Sequence, residues 1–169
     1  MNLVYILLGG NLGDRISNLE KARMLICERV GNILSMSSVY ETEPWGFDNA
    51  ASFLNRIVVV ETMSDYKNLF HILQEIETVL GRKRKTDIKY TSREIDLDIL
   101  FFNLDVFEDH VINLQIPHPR LHLRKFVLVP LAELAPGLLH PVFNETVQSL
   151  LDRCQDNKWV RKYPLHLPE

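Results

Sequence analysis

Cysteine is nearly absent: the chain of 169 residues holds two, Cys27 and Cys154. They lie far apart and outside any CxxC or Cys/His spacing, which excludes a disulfide framework and a structural zinc centre and points to reduced thiols in a cytoplasmic setting. Long hydrophobic runs are missing too. The apolar start, residues 3–8, has no basic leader and passes into Gly9-Gly10-Asn11 instead of a cleavage site. No stretch approaches the roughly 18 apolar residues that span a bilayer, so no membrane-embedded segment is expected. An excess of positive charge is also lacking: 19 Lys and Arg against 22 Asp and Glu leave a formal net charge of −3. That removes any global attraction to nucleic acid or to an anionic membrane, and an anion site must be built locally. No repeat, low-complexity segment or linker divides the chain. What is present, 46% apolar and 24% charged residues, suits one globular domain over 1–169, expected as a monomer, with roughly 70% of its unfolded surface buried.

Residues 3–8 are rich in strand formers and read as a first strand, closed by a turn at Gly9-Gly10-Asn11. From Asp14, apolar side chains fall at Ile16, Leu19, Ala22, Ile26 and Val30, a helical stripe that ends at Gly31. A Ser-rich strand over 33–41 follows, then a loop over 42–49 carrying Trp45 and Phe47. Phe53–Thr62, dense in valine, is a third strand. Ser64-Asp65 offers the N-cap of a second helix that bears Leu69, Ile72, Leu73, Ile76, Val79 and Leu80 and is closed by Gly81. A basic, polar stretch leads to a fourth strand over 95–102. The order βαββαβ is that of a ferredoxin-like α+β sandwich, an antiparallel sheet with helices on one face and the other face free. Prolines at 117, 119, 130, 136 and 141 then cut the chain into short pieces, with additional C-terminal helices expected over 127–134 and 146–153.

Asp96-Leu97-Asp98, inside an otherwise apolar strand, is the sharpest chemical feature. Alternation sends both carboxylates to one face, about 7 Å apart along the strand, and Ile95, Leu97 and Ile99 to the other. Two neighbouring carboxylates repel unless cations neutralise them, and oxygen ligands suit magnesium carrying a triphosphate; the plain alternative is a solvated strand face. The cluster Arg82, Lys83, Arg84, Lys85, Lys89 and Arg93 lies immediately before them. By itself it reads as solvated charge at a helix end, but beside paired aspartates it offers phosphate-binding guanidiniums. Asn55 shares a strand face with Phe53 and Ile57, and its amide can read the edge of a heterocycle or simply satisfy a loop. Trp45, Phe47, Phe53 and Phe126 can stack on a flat ring or pack the core. Pro117 and Pro119 rule out a regular helix carrying His118 and His122, so no zinc site is expected, and His118 beside Arg120 and Arg124 reads as a further phosphate contact.

Six segments occur in order: Gly9-Gly10-Asn11-Leu12-Gly13, Tyr40-Glu41-Thr42-Glu43-Pro44-Trp45-Gly46, Phe53-Leu54-Asn55, Glu77 with Gly81-Arg82, Arg93-Glu94-Ile95-Asp96-Leu97-Asp98-Ile99, and Pro117-His118-Pro119-Arg120. Together they resemble the 6-hydroxymethyl-7,8-dihydropterin pyrophosphokinases of folate biosynthesis, over residues 4–141. The resemblance implies the ferredoxin-like fold and transfer of pyrophosphate from ATP to the pterin's hydroxymethyl group, with release of AMP. It also implies that Asp96 and Asp98 hold two magnesium ions, one bridging the β- and γ-phosphates and one activating the hydroxyl. Arg82 and Arg93 match catalytic arginines that contact phosphates. Arg84, His118 and Arg124, with Gln74 and Glu77 on the preceding helix, match ATP contacts whose shared role is charge neutralisation. Asn55 corresponds to the amide that reads the pterin, Thr42 and Pro44 to the loop beside it, and Trp45, Phe53 and Phe126 to ring-packing positions. Residues 44–51 and 82–92 match loops that close over ATP, with Tyr90 as a lid contact. Two departures stand out: Tyr90-Thr91-Ser92 replaces a Trp-Gly-Pro, and Pro119 stands where some members carry tyrosine. With 169 residues and no room for a fused neighbour, one activity is expected.

The same βαββαβ sheet with strand aspartates also describes palm-like nucleotidyl transferases, and a non-catalytic nucleotide or pterin binding module can keep the core. Against the first stands the acidic balance, with no basic groove for a template. Against the second stand Asp96, Asp98, Arg82 and Arg93, repulsive charges that binding alone does not require.

Overall fold

The computed structural model describes residues 1–44, 51–81 and 94–165. Strand β1 (Asn2–Gly10) is followed by helix α1 (Arg15–Arg29), strands β2 (Asn32–Met36), β3 (Tyr40–Thr42) and β4 (Phe53–Thr62), helix α2 (Tyr66–Val79) and strand β5 (Asp96–Phe102). A hairpin, β6 (Phe107–Asp109) and β7 (Leu114–Ile116), leads into helices α3 (Lys125–Leu134) and α4 (Val147–Asp152) and strand β8 (Val160–Lys162). Both long helices start at aspartates: Asp14 Oδ1 accepts from the Ser17 amide at 3.0 Å and Asp65 Oδ1 from the Asn68 amide at 2.8 Å, satisfying N–H groups that the helix leaves open. Gly81, at φ +102°, ends the second helix in a conformation that a side chain disfavours.

Among the described residues the main sheet runs β5-β1-β4-β3-β8, with β2 sharing the edge of β4, and every pairing is antiparallel. That is the ferredoxin-like order. One face carries Val4, Ile6, Leu8, Leu54, Val58, Val60, Leu97 and Ile99 against Leu19, Ala22 and Ile26 of α1 and Leu69, Leu73 and Ile76 of α2. Each such aliphatic side chain contributes about 1.5–3 kcal/mol by leaving water, so this layer dominates stability.

Three expectations change. The glycines do not close β1 as a turn: the strand includes both, because Gly9 and Gly10 pair with Asn55 and Leu54 of β4. The strand over 33–41 is two strands on the same edge of β4, because side chains between them compete for the ladder: Ser37 Oγ accepts from the Ile57 amide at 3.0 Å, and Ser38 turns to Glu133. The second sheet face is not free. Tyr5, Leu7, Ile57, Val59, Leu100 and Phe101 lie under Val127, Leu128 and Leu131 of α3 and Val147 and Leu150 of α4, so the added helices form a third layer over part of it. The hairpin and β8 are further additions that no periodic pattern of such short segments announces. No helix among the described residues is long and apolar enough to cross a membrane.

Candidate active site

The uncovered part of the second face is polar, and strand register assembles it. Asp96 of β5 stands opposite Gly9 of β1, which stands opposite Asn55 of β4; one step along, Asp98 stands opposite Leu7. Adjacent strands are about 4.8 Å apart, so Asp96 and Asn55 lie about 10 Å from each other across two strands. Only glycine fits between them. A Cβ on Gly9 would come 2.6 Å from Asn55 Oδ1, whereas ordinary contacts need more than 3 Å. Asn55 is 3% exposed, and its Nδ2 donates to Thr42 Oγ1 at 2.9 Å. A buried amide anchored by one hydrogen bond has its plane fixed, and Oδ1 then lies over the glycine floor.

The carboxylate strand is supported from behind. Glu77 falls on the buried stripe of α2 with Leu69 and Leu73, and its Oε1 accepts from the amide of Leu97, between the two aspartates, at 2.8 Å. A buried carboxylate is stable there because it satisfies an N–H that β1 does not reach.

A cleft of about 400 Å³ opens at the outer edge of β5, lined by Phe70, Asp98, Gln115, His118, Arg120 and Arg124 among others. The His118 amide donates to the Leu100 carbonyl at 2.9 Å, and its Nδ1 accepts from the Arg120 amide at 3.1 Å. Burial pushes the imidazole down to about 4, with the Arg124 charge adding to this, Asp96 opposing it and Arg120 reinforcing it. His118 is therefore neutral near pH 7, with its proton on Nε2. It offers a hydrogen-bond donor, not the charge that a role in neutralisation requires. Arg124 is the residue before α3, and its guanidinium lies 5.7 Å from the Phe126 ring centroid. Among the described residues no group of three His, Cys, Asp or Glu side chains is placed to hold a metal. The donor set is thus two hard carboxylates, which suits magnesium that keeps water and substrate phosphate as its other ligands.

The structure brings Asp96, Asp98, His118 and Arg124 to one side and Thr42, Phe53 and Asn55 to the other, all on or beside one sheet face. Pro44 lies two residues past the end of β3, and Gln74 lies on α2, one turn beyond Phe70. Glu77 reaches the strand backbone through Oε1, at the amide of Leu97. Trp45, Arg82, Arg84, Tyr90 and Arg93, and with them the loops expected to close apart from Pro44 and Ala51, lie outside the described residues. Sequence reasoning passed over Phe70 and Gln115, which line the cleft, and treated Gly9 as a turn residue. The place of Gly9 follows from strand register, and those of Phe70 and Gln115 from the packing of α2 and the β6–β7 hairpin beside β5.

Known proteins are similar to this chain over most of its length. The family description 7,8-dihydro-6-hydroxymethylpterin-pyrophosphokinase (HPPK) matches residues 5–136. A 2-amino-4-hydroxy-6-hydroxymethyldihydropteridine pyrophosphokinase of Porphyromonas gingivalis is 42% identical over 142 residues, which cover 83% of this chain and 95% of that protein. The protein of the same name from Bacillus subtilis is 41% identical over 134 residues, 79% of this chain and 78% of that one. A crystal structure of Plasmodium falciparum HPPK-DHPS superposes with a TM-score of 0.73 at 20% identity, covering 90% of this chain and 44% of that one, a likeness of fold. Taken with the carboxylate strand and the pinned amide, these matches place the chain in the 7,8-dihydro-6-hydroxymethylpterin-pyrophosphokinase family.

Proposed function

We propose that this chain transfers pyrophosphate from ATP to the hydroxymethyl group of 6-hydroxymethyl-7,8-dihydropterin, giving the pterin diphosphate and AMP. The observation that carries the reading is the row Asp96–Gly9–Asn55, which sets an amide able to read a flat heterocycle about 10 Å from paired carboxylates on one face. That span accommodates a bicyclic ring on the amide with its exocyclic alcohol toward the aspartates.

In this reading Asn55 hydrogen-bonds the pterin edge in an orientation set by Thr42 Oγ1. Phe53, Phe126 and Trp45 pack the ring, and Pro44 carries the chain past it. ATP occupies the cleft along β5, with Gln74 nearby, His118 Nε2–H and Arg124 toward its phosphates, and Arg84 as a further contact. The alcohol oxygen attacks the β-phosphorus, the bond from that phosphorus to the oxygen on the α-phosphate breaks, and AMP leaves. Asp96 and Asp98 would hold two magnesium ions, which supply charge neutralisation on the phosphates and acidify the alcohol. Arg82 and Arg93 contribute positive charge as negative charge shifts toward the leaving AMP, and Tyr90 covers the site. Glu77 keeps the aspartate strand in register. The chain works as a cytoplasmic monomer, one domain over 1–169.

Incubation with ATP, magnesium and the hydroxymethyl pterin, followed by separation of the nucleotides, tests this directly. AMP forming in step with a pyrophosphorylated pterin is the expected result; ADP would mean simple phosphoryl transfer and overturn it.

A further inference from the structure

Strand β8 lies beyond the stretch 5–136 that the family description matches, yet it pairs with β3, the strand that ends at Thr42. The register sets Tyr40 against Lys162, Glu41 against Arg161 and Thr42 against Val160, and the Tyr163 amide extends the ladder by donating to the Val39 carbonyl at 2.8 Å. Side-chain bonds lie on either side of Thr42. The Trp159 amide donates to Glu43 Oε1 at 2.8 Å, and Lys158 Nζ lies 3.8 Å from Glu43 Oε2. Arg161 lies 3.5 Å from Glu41 Oε1, the same oxygen that accepts from Ser52 Oγ at 2.8 Å. Alternation along β3 sends the Thr42 side chain to the opposite face, where it is 1% exposed and receives the Asn55 amide.

We infer that Glu43 is a positioning residue for pterin recognition. Its carboxylate is fastened to the amide of Trp159, the residue before β8, and it acts through Thr42 on the orientation of Asn55. The inference rests on the assignment of Asn55 to the pterin. Between the two contacts of Glu43, the bond from a backbone N–H to a carboxylate is the stronger. The Lys158 pair is about a third exposed on both sides and is screened by solvent. The bond, and not the ion pair, therefore holds Thr42 in place, and the neutral amide of glutamine can still accept it.

Steady-state kinetics on the full chain test this with Glu43→Ala, Glu43→Gln, Lys158→Met and, in parallel, Asn55→Ala. Glu43→Ala is expected to raise the KM for the pterin about tenfold, the scale of one charge-assisted hydrogen bond. The KM for ATP should stay near the parent value while the melting temperature falls by no more than a few degrees, and Glu43→Gln and Lys158→Met should keep the pterin KM within about twofold. A pterin KM raised by Asn55→Ala but unmoved by Glu43→Ala overturns this inference alone. So does a Glu43→Ala variant in which both KM values rise together as Tm falls, or a Glu43→Gln variant as impaired as Glu43→Ala. A pterin KM indifferent to Asn55→Ala overturns the assignment of the amide and this inference with it.

Discussion

Replacing Gly9 by alanine adds one methyl group at the most crowded point of the site. Its carbon would lie 2.6 Å from Asn55 Oδ1, and a comfortable C···O approach is about 3.3 Å, so about 0.7 Å must be opened. The backbones cannot supply it, because Gly9 and Asn55 are direct partners in the β1–β4 ladder. The side-chain amide has to rotate, and a rotation of that size carries Nδ2 away from Thr42 Oγ1, now at 2.9 Å. Losing that bond costs about 1 kcal/mol and crowding a packed site about 1–3 kcal/mol. The strand regains roughly 0.5–1 kcal/mol from alanine's smaller loss of backbone freedom. Net destabilisation of about 1–3 kcal/mol should lower Tm by only several degrees at about 2–4 °C per kcal/mol. Pterin recognition loses more in relative terms. Two misdirected hydrogen bonds of about 1 kcal/mol each predict a pterin KM raised roughly 10- to 100-fold, with the KM for ATP nearly unchanged. AMP release measured with each substrate varied in turn, alongside thermal melting, gives all three quantities. A pterin KM within twofold of the parent would refute the reasoning, since it would mean either that the amide is not pinned or that it does not read the pterin.

Asp98→Ala should lower kcat by three orders of magnitude or more while calorimetry still detects pterin binding; near-normal turnover would remove the metal-holding role of the strand. Glu77→Ala leaves the Leu97 amide buried without its carboxylate partner, a cost of about 1–3 kcal/mol that should appear as a Tm drop of several degrees, and Glu77→Gln should recover most of it. His140 is held down to about 4 by burial, then by His122, with Glu145 opposing; its Nδ1 accepts from the amides of Val142 and Phe143, and its ring stacks on Phe143. The unfolded chain, with a histidine near 6.5, binds more protons than the native one between pH 6.5 and 4. Stability from this group is therefore complete above about 6.5 and is lost as pH falls through about 4. Denaturant unfolding across that range should show a slope that flattens in His140→Asn, whose Oδ1 can still accept; an unchanged slope would refute it.

The order of elements was legible because periodicity changes cleanly from 2 to 3.6 and back, and it is punctuated by Asp14 and Asp65, whose side chains cap helices, and by Gly81, whose backbone ends one. The facing of Asp96 and Asp98 was legible for the same reason: in a strand, parity decides the side. Val79, read as part of the apolar stripe of α2, is 60% exposed, while Glu77 is buried, its carboxylate matched to a strand amide. What stayed hidden depends on pairing. Nothing in Gly9-Gly10 says that the first glycine will face an amide two strands from an aspartate, and β8 exists only because β3 offers it an edge.

The least legible feature has the widest reach. Partners along β1 and β5 jump from Tyr5 with Phe101 to Ile6 with Ile99, leaving Leu100 as an extra residue. Before the bulge, Leu97 and Ile99 pack toward α1 and α2; beyond it Leu100 and Phe101 both lie on the other face, under α3 and α4. One strand thus presents carboxylates at one end of a face and a hydrophobic anchor at the other. The anchor holds α3, whose start sets Arg124 in the cleft that Asp98 also lines. The carbonyl of Leu100 accepts the amide of His118 at 2.9 Å, so the same irregularity also sets the imidazole at the mouth of the cleft. A strand without the extra residue would turn Phe101 toward the α1 and α2 layer, and it would take the largest side chain of β5 out of the surface that seats α3. The inserted residue is therefore what joins the apolar third layer to the polar site, and the charged end of β5 can stay open to substrate because its apolar end is closed.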